Sequence, residues 1–308
     1  MKMYRGIISI LLVFSQLSYA RLNVLDSEPR DVQLISTHET QYCYISFVRI
    51  NGKIYLIKQK KINHFDQIVG VVRDAITAHI AEMFDANMAH HIDIIPAGIK
   101  FPGKVRTSWP ATIHTIAPGK MVLAQRWGSA YRKMNIKQGF IGFRRDMLSW
   151  MAKHRTLIKI VVLDTFACNH DRHQGNLFYD SKRNWFCAID MDSSYKYNLC
   201  EIACQNLMGM INDRNLRLRG KELYALIEYK KYLDFLIKTF RPEDIVDMYD
   251  YFAHKAGFVE GSPLYRSPVD SELRRNKAMI MRSYDDAKRL AIIVGDLITK
   301  AQNNAKRW

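Results

Sequence analysis

Residues 168–192 read "CNHDRHQGNLFYDSKRNWFCAIDMD", which sets four aspartates and two histidines between apolar neighbours. The segment before it, within "RRDMLSWMAKHRTLIKIVVLDTFA" (144–167), is patterned as a largely buried helix. "NLFYDSKRNWFCAID" (176–190) reads as a β-hairpin, two short aromatic-rich runs around a polar turn. A polar loop therefore leaves a helix and runs straight into a hairpin. Asp171 and Asn176 stand five apart in that loop, and Asp190 ends the second strand. Phosphoryl transfer uses such parts: a carboxylate to orient an attacking hydroxyl, and an Asn oxygen with a second carboxylate to hold a metal against phosphates. Magnesium is a hard cation that takes oxygen ligands, so Asn and Asp suit it better than His or Cys.

Working outward, 308 residues at 48% hydrophobic content can bury one large core or two small ones, which excludes a disordered chain. The formal charge is +16, from 46 Lys and Arg against 30 Asp and Glu. That balance fits an anionic partner (an acidic membrane surface, phosphorylated substrates or nucleic acid) or simply a solvated basic surface. The first twenty residues, "MKMYRGIISILLVFSQLSYA", have a positive start at Lys2 and Arg5, a short apolar run, and small residues at Ser18 and Ala20. They read as a secretory signal peptide (1–20), with an uncleaved anchor as the alternative. An export signal argues against nucleic acid as the partner. All five cysteines (43, 168, 187, 200 and 204) lie beyond that segment. An oxidising compartment permits disulfides, but an odd count leaves at least one thiol unpaired, and the spacing is not that of a zinc site.

The stretch from about Asp31 to Ile116 is strand-rich. "DVQLIS", "YCYISFVRI" and "KIYLIKQK" are β-branched and aromatic, and the last two flank Asn51-Gly52, whose residues both favour the positive φ of a two-residue hairpin turn. "VGVVRDAITAHIAEMFDANMA" (69–89) repeats apolar residues at helical spacing through Val72, Ile76, Ile80, Met83 and Phe84. "HIDIIPAGIKF" and "ATIHTIA" return to strand chemistry. Beyond "APGK" (117–120) helical patterns dominate, with runs at 221–240, at 242–257 behind Pro242, and from about Ser271. The predicted fold class is α+β: a small antiparallel sheet with one long helix (21–120), then a larger, mainly helical part (121–308) that carries the loop and hairpin of 168–192.

"NHDRHQGN" followed by "AID" resembles the catalytic core of the phosphatidylinositol 3-/4-kinase-like superfamily, which includes actin-fragmin kinase and HipA-type kinases. Those proteins carry an Asp-Arg-His-x-x-Asn loop and then Ile-Asp at a strand end. The resemblance implies a two-lobed protein-kinase-like fold using ATP with Mg²⁺ or Mn²⁺. It makes Asp171 the catalytic aspartate, Asn176 and Asp190 metal ligands, and His173 a neutraliser of charge on the transferred phosphate or an orienter of Asp171. Arg172 would tie the loop to its surroundings. "YLIK" (55–58) ends on Lys58 in the third strand, as "VAIK"-type strands do in kinases, where that lysine meets the nucleotide phosphates. Its acidic partner would come from the following helix, as Glu82 or Asp74, with Glu82 favoured slightly for its reach. "TIHTIAPGK" resembles the strand and hinge beneath the adenine.

Two departures stand out. "STHETQ" (36–41) occupies the place of a Gly-rich phosphate loop, and Met191-Asp192 follows Asp190 where kinases have Phe-Gly. Asp192 is expected to cap the next helix rather than to add a ligand. The expected activity is transfer of the γ-phosphate of ATP to a hydroxyl of a protein or a phosphoinositide lipid. The alternative is a pseudokinase that uses the same cleft or the basic face to hold an anionic partner. Compartments outside the cytosol hold little ATP. A nucleotide-supplied lumen, delivery into a host cell as an effector, or a cytosol-facing anchor would each remove that conflict.

Overall fold

A computed structural model describes residues 32–61, 65–86, 91–100, 103, 108–122, 148, 151–172, 174–212, 217–218 and 220–306. The expected signal segment (1–20) and His173 lie outside them. The chain divides into two compact units. One holds the described residues up to Lys61 together with Ile92–Ile116, and the other holds those of Ile62–His91 and Ala117–Trp308.

The first unit is a five-stranded sheet. Its strands are β1 (Val32–Glu39), β2 (Cys43–Ile50), β3 (Lys53–Lys60), β4 (His91–Ile95) and β5 (Ala111–Thr115), in the order β1-β2-β3-β5-β4. The pairs β1/β2, β2/β3 and β3/β5 are antiparallel. The β2–β3 turn is the one the dipeptide predicts, with Asn51 at φ 49 and Gly52 at φ 77. The segment expected as an open loop at 36–41 is instead mostly strand. β1 continues through Glu39, and the turn is confined to residues 40–42, where Thr40 Oγ1 accepts from Cys43 N at 2.9 Å. Val48, Ile50, Tyr55, Ile57, Ile95, Ala111 and Ile113 form the sheet's apolar core. The Val and Ile side chains among them each contribute about 1.5–3 kcal/mol when fully buried.

The second unit is mainly helical. Its elements are α1 (Phe65–Met83), α2 (Arg155–Phe166), α3 (Leu199–Asn212), α4 (Gly220–Thr239), α5 (Pro242–Lys255) and α6 (Ser267–Lys306), with a small sheet of β6 (Lys120–Met121), β7 (Leu177–Asp180) and β8 (Trp185–Ala188). The β7–β8 hairpin pairs Leu177 with Ala188 and Asp180 with Trp185, as the aromatic runs predict. Pro242 opens α5, and Asp244 Oδ2 accepts from Arg241 N at 3.2 Å to close the cap. The forty-residue α6 packs against α1, α3, α4 and α5.

Two elements differ from the sequence reading. The run at 144–167 is not one helix: His154 breaks it with an extended backbone at φ −135, and α2 starts at Arg155. Helix α3 was not anticipated, although Cys200, Ala203, Cys204 and Leu207 are buried at helical spacing along it. The fold is nonetheless the α+β arrangement expected, an antiparallel sheet followed by a mainly helical region. All five cysteines are buried and free. Among the described residues no helix is long and apolar enough to cross a membrane.

Candidate functional site

Helix α2 ends at Ala167, and Cys168 turns the chain with a left-handed φ of 51. What fixes the loop after it is Arg172, whose side chain is fully buried. Its Nε donates to Asp164 Oδ2 at 2.9 Å and its Nη2 to Asp164 Oδ1 at 3.0 Å. Its Nη1 donates to the carbonyls of Asn176 at 2.8 Å and Ile189 at 2.6 Å. Asn169 Nδ2 adds a third bond to Asp164, at 2.9 Å. A buried guanidinium is tolerated when it is paired and its donors are used, and here both conditions hold. One side chain thus joins helix α2, the loop and the end of β8.

This framework brings the three motif residues of the stretch together. Asp171 is held through its backbone: its N–H donates to Asn169 Oδ1 at 3.3 Å and its carbonyl accepts from Asn176 Nδ2 at 2.9 Å. Its carboxylate is exposed, and no described residue donates a hydrogen bond to it. Asn176 is buried, and with Nδ2 committed to the loop its Oδ1 is the amide atom left for a ligand. Ile189 N donates to Asn176 O at 3.1 Å, so Asn176 and the Ile189-Asp190 pair adjoin. Asp190 itself has a left-handed φ of 62. Among the described residues no group of three His, Cys, Asp or Glu side chains could hold a metal ion. The Asn176 amide oxygen and the Asp190 carboxylate are donors of the kind a hard cation such as Mg²⁺ takes, an ion that keeps several waters and binds through one or two protein oxygens plus phosphate.

Helix α1 lies against the residues that follow Asp190. Asp74 is buried, and its Oδ1 accepts from Met191 N at 3.1 Å. Arg73 Nε donates to Asp192 O at 2.6 Å. Glu82, the slightly favoured acid, lies eight residues further along α1, about 12 Å down its axis. Asp74 is thus the one of the two that reaches the Asp190 segment. Asp192 is buried and accepts from Ser193 Oγ at 3.3 Å; it does not cap α3, where Asn198 Oδ1 accepts from Glu201 N at 3.3 Å.

No family model and no curated protein matches the chain. Solved structures do. The Helicobacter pylori proinflammatory kinase CtkA is similar at a TM-score of 0.47 and 11% identity, over 89% of this chain and 96% of that one.

Lys58 belongs to the sheet unit. It sits in β3, between β2 and β5, opposite Ile45 and Thr112, with its backbone carbonyl accepting from Thr112 Oγ1 at 3.4 Å. Tyr55, Ile57 and Gln59 fill the buried face of β3, so Lys58 shares the other face with Leu56 and Lys60. His170, beside Asp171, reads in the sequence only as half of a His-Asp pair of a metal phosphohydrolase. Its Nδ1 lies 3.0 Å from Ser193 O and its ring meets Tyr197 edge-on at 4.4 Å. Burial lowers its pKa, only partly offset by the Ser193 bond, which favours a neutral imidazole donating from Nδ1. Asp164 was missed, although an aspartate inside "KIVVLDTFA" signals a buried partner.

Proposed function

We propose that this chain is an ATP- and metal-dependent phosphotransferase with a protein-kinase-like fold of the phosphatidylinositol 3-/4-kinase-like type. The observation that carries this reading is the Asn176–Ile189 backbone bond under Arg172, which makes Asn176 and the Ile189-Asp190 pair neighbours beside the loop that carries Asp171. In this reading Asp171 orients the acceptor hydroxyl and takes its proton as the oxygen bonds to the γ-phosphorus and the bond from that phosphorus to the β–γ bridging oxygen breaks, releasing ADP. Asn176 and Asp190 would hold the metal, which when bound neutralises charge on the phosphate oxygens. The resemblance assigns Lys58 to the nucleotide phosphates, and neutral His170 buttresses the loop through Ser193. The acceptor is a hydroxyl of a protein or a phosphoinositide, and the formal charge of +16 suits either an acidic protein or an anionic membrane.

The test incubates the purified chain with γ-labelled ATP, Mg²⁺ or Mn²⁺, acidic proteins and phosphoinositide vesicles, with Asp190→Ala alongside. Transfer that disappears in the variant supports the reading, and the labelled product divides protein from lipid. The absence of both transfer and metal-dependent nucleotide binding in the unaltered chain would overturn it.

A further inference from the structure

Three backbone groups around Asp190 are held from outside the hairpin. Arg172 Nη1 holds Ile189 O at 2.6 Å, Asp74 Oδ1 holds Met191 N at 3.1 Å, and Arg73 Nε holds Asp192 O at 2.6 Å. Asp190 sits at φ 62, a region that few residues apart from glycine, asparagine and aspartate enter, and these three contacts fix the backbone on either side of it. Arg172 has Asp164 to neutralise it. Arg73, 3% exposed, has Glu272: its Nη1 lies 3.1 Å from Glu272 Oε1, and Arg275 Nη2 approaches the same oxygen at 2.8 Å. Glu272 comes from the second turn of α6, 199 residues away in the chain.

The carbonyl of Asp192 is a dipole and cannot by itself compensate a buried cation. Removing the carboxylate of Glu272 therefore withdraws a counter-charge from the buried Arg73 side chain and loosens the donor that holds the Asp192 carbonyl. The contact leaves no slack to absorb this. Gly70, one turn before Asp74 on α1, lies so close that a Cβ there would stand 3.2 Å from Asp192 Cβ.

We propose that Arg73 and Glu272 are positioning residues for the Asp190 carboxylate, which makes the C-terminal helix α6 part of the metal site's support. This rests on the phosphotransferase reading. The side chain that sets the oxygen ligand's angle is thus fixed by an acid the hairpin does not contain. Loss of such supporting contacts commonly weakens metal affinity by about 10- to 100-fold.

The experiment titrates Mn²⁺ into the full chain in the presence of ATP and follows bound metal by electron paramagnetic resonance, then measures the Mg²⁺ dependence of transfer. Glu272→Gln and Arg73→Lys are expected to weaken Mn²⁺ binding about tenfold and to raise the Mg²⁺ needed for half-maximal rate, with the rate at saturating metal largely kept. Glu272→Asp recovers part of the loss. Asn276→Ala removes the buried bond from Asn276 Nδ2 to Tyr249 OH, 2.9 Å long, on the same helix. It should lower the melting temperature and leave metal binding unchanged, which separates positioning from general packing. If Glu272→Gln does not fold, Arg73→Lys decides, because it keeps the charge and removes the Nε donor. Metal binding lost in Asp190→Ala but unchanged in folded Glu272→Gln or Arg73→Lys would overturn the positioning role alone. Metal binding absent in the unaltered chain, or equal in Asp190→Ala, would overturn the phosphotransferase reading first.

Discussion

Arg172 and Asp164 meet through two hydrogen bonds of 2.9 and 3.0 Å, with the guanidinium fully out of solvent. Breaking a buried pair by removing one partner strands the other charge. Asp164→Ala is expected to destabilise the chain by about 3–5 kcal/mol. Urea unfolding checks this; a loss below about 1 kcal/mol would mean the pair is solvated as surface pairs are.

Asp171 and Asp190 should separate by phenotype. The Asp171 carboxylate is exposed and accepts no hydrogen bond from a described residue, so Asp171→Ala should change stability by no more than about 0.5 kcal/mol. Transfer should fall by about 10²- to 10⁴-fold while nucleotide binding persists. Asp190→Ala should lose metal-dependent nucleotide binding as well. Calorimetric titration with ATP and Mg²⁺ distinguishes the two.

Gly119 precedes β6 at φ 87, and a Cβ there would collide with the Tyr179 carbonyl and lie 2.6 Å from Asp180 N. These are backbone atoms in a sheet and cannot step aside. Gly52 also has positive φ, but a Cβ on it meets nothing within 4 Å. Gly52→Ala should cost about 1 kcal/mol from conformation alone, and Gly119→Ala more, by about 1–3 kcal/mol for the overlap. Thermal melts of the two variants give the comparison directly.

His154 and His170 both have lowered pKa values, chiefly because burial disfavours the imidazolium. The unfolded chain therefore takes up protons that the folded chain resists. Stability should fall with pH once it drops below the unfolded value of about 6.5, and keep falling until the folded values are passed. His154→Gln or His170→Gln should flatten that slope, measured as urea midpoints between pH 7 and pH 5.

The local parts of this molecule were readable because chemistry and spacing coincide in them. Asn51-Gly52 names its turn, and the Asp171, Asn176 and Asp190 spacing survives as a joined cluster because loop and hairpin follow one another directly. Helix α3 escaped notice because its buried face is made of Cys200, Ala203 and Cys204, small residues whose apolar signal is weak and whose thiols invite a chemical reading instead. The break at His154 has no proline or glycine to announce it. The Asp74–Met191 bond, and Arg73 with Glu272, depend on which turn of α1 faces the hairpin and on where α6 crosses it. Neither follows from periodicity, since Asp74 and Glu82 share roughly one face of α1 and Glu272 is 199 residues from its partner.

Asp190 lies in the left-handed region, which costs most residues about 1 kcal/mol, an aspartate less than most and a glycine nothing. Glycine at that position would relax the backbone and delete the carboxylate in a single step. On the phosphotransferase reading, a sturdier fold and a metal ligand make opposite demands on this one position.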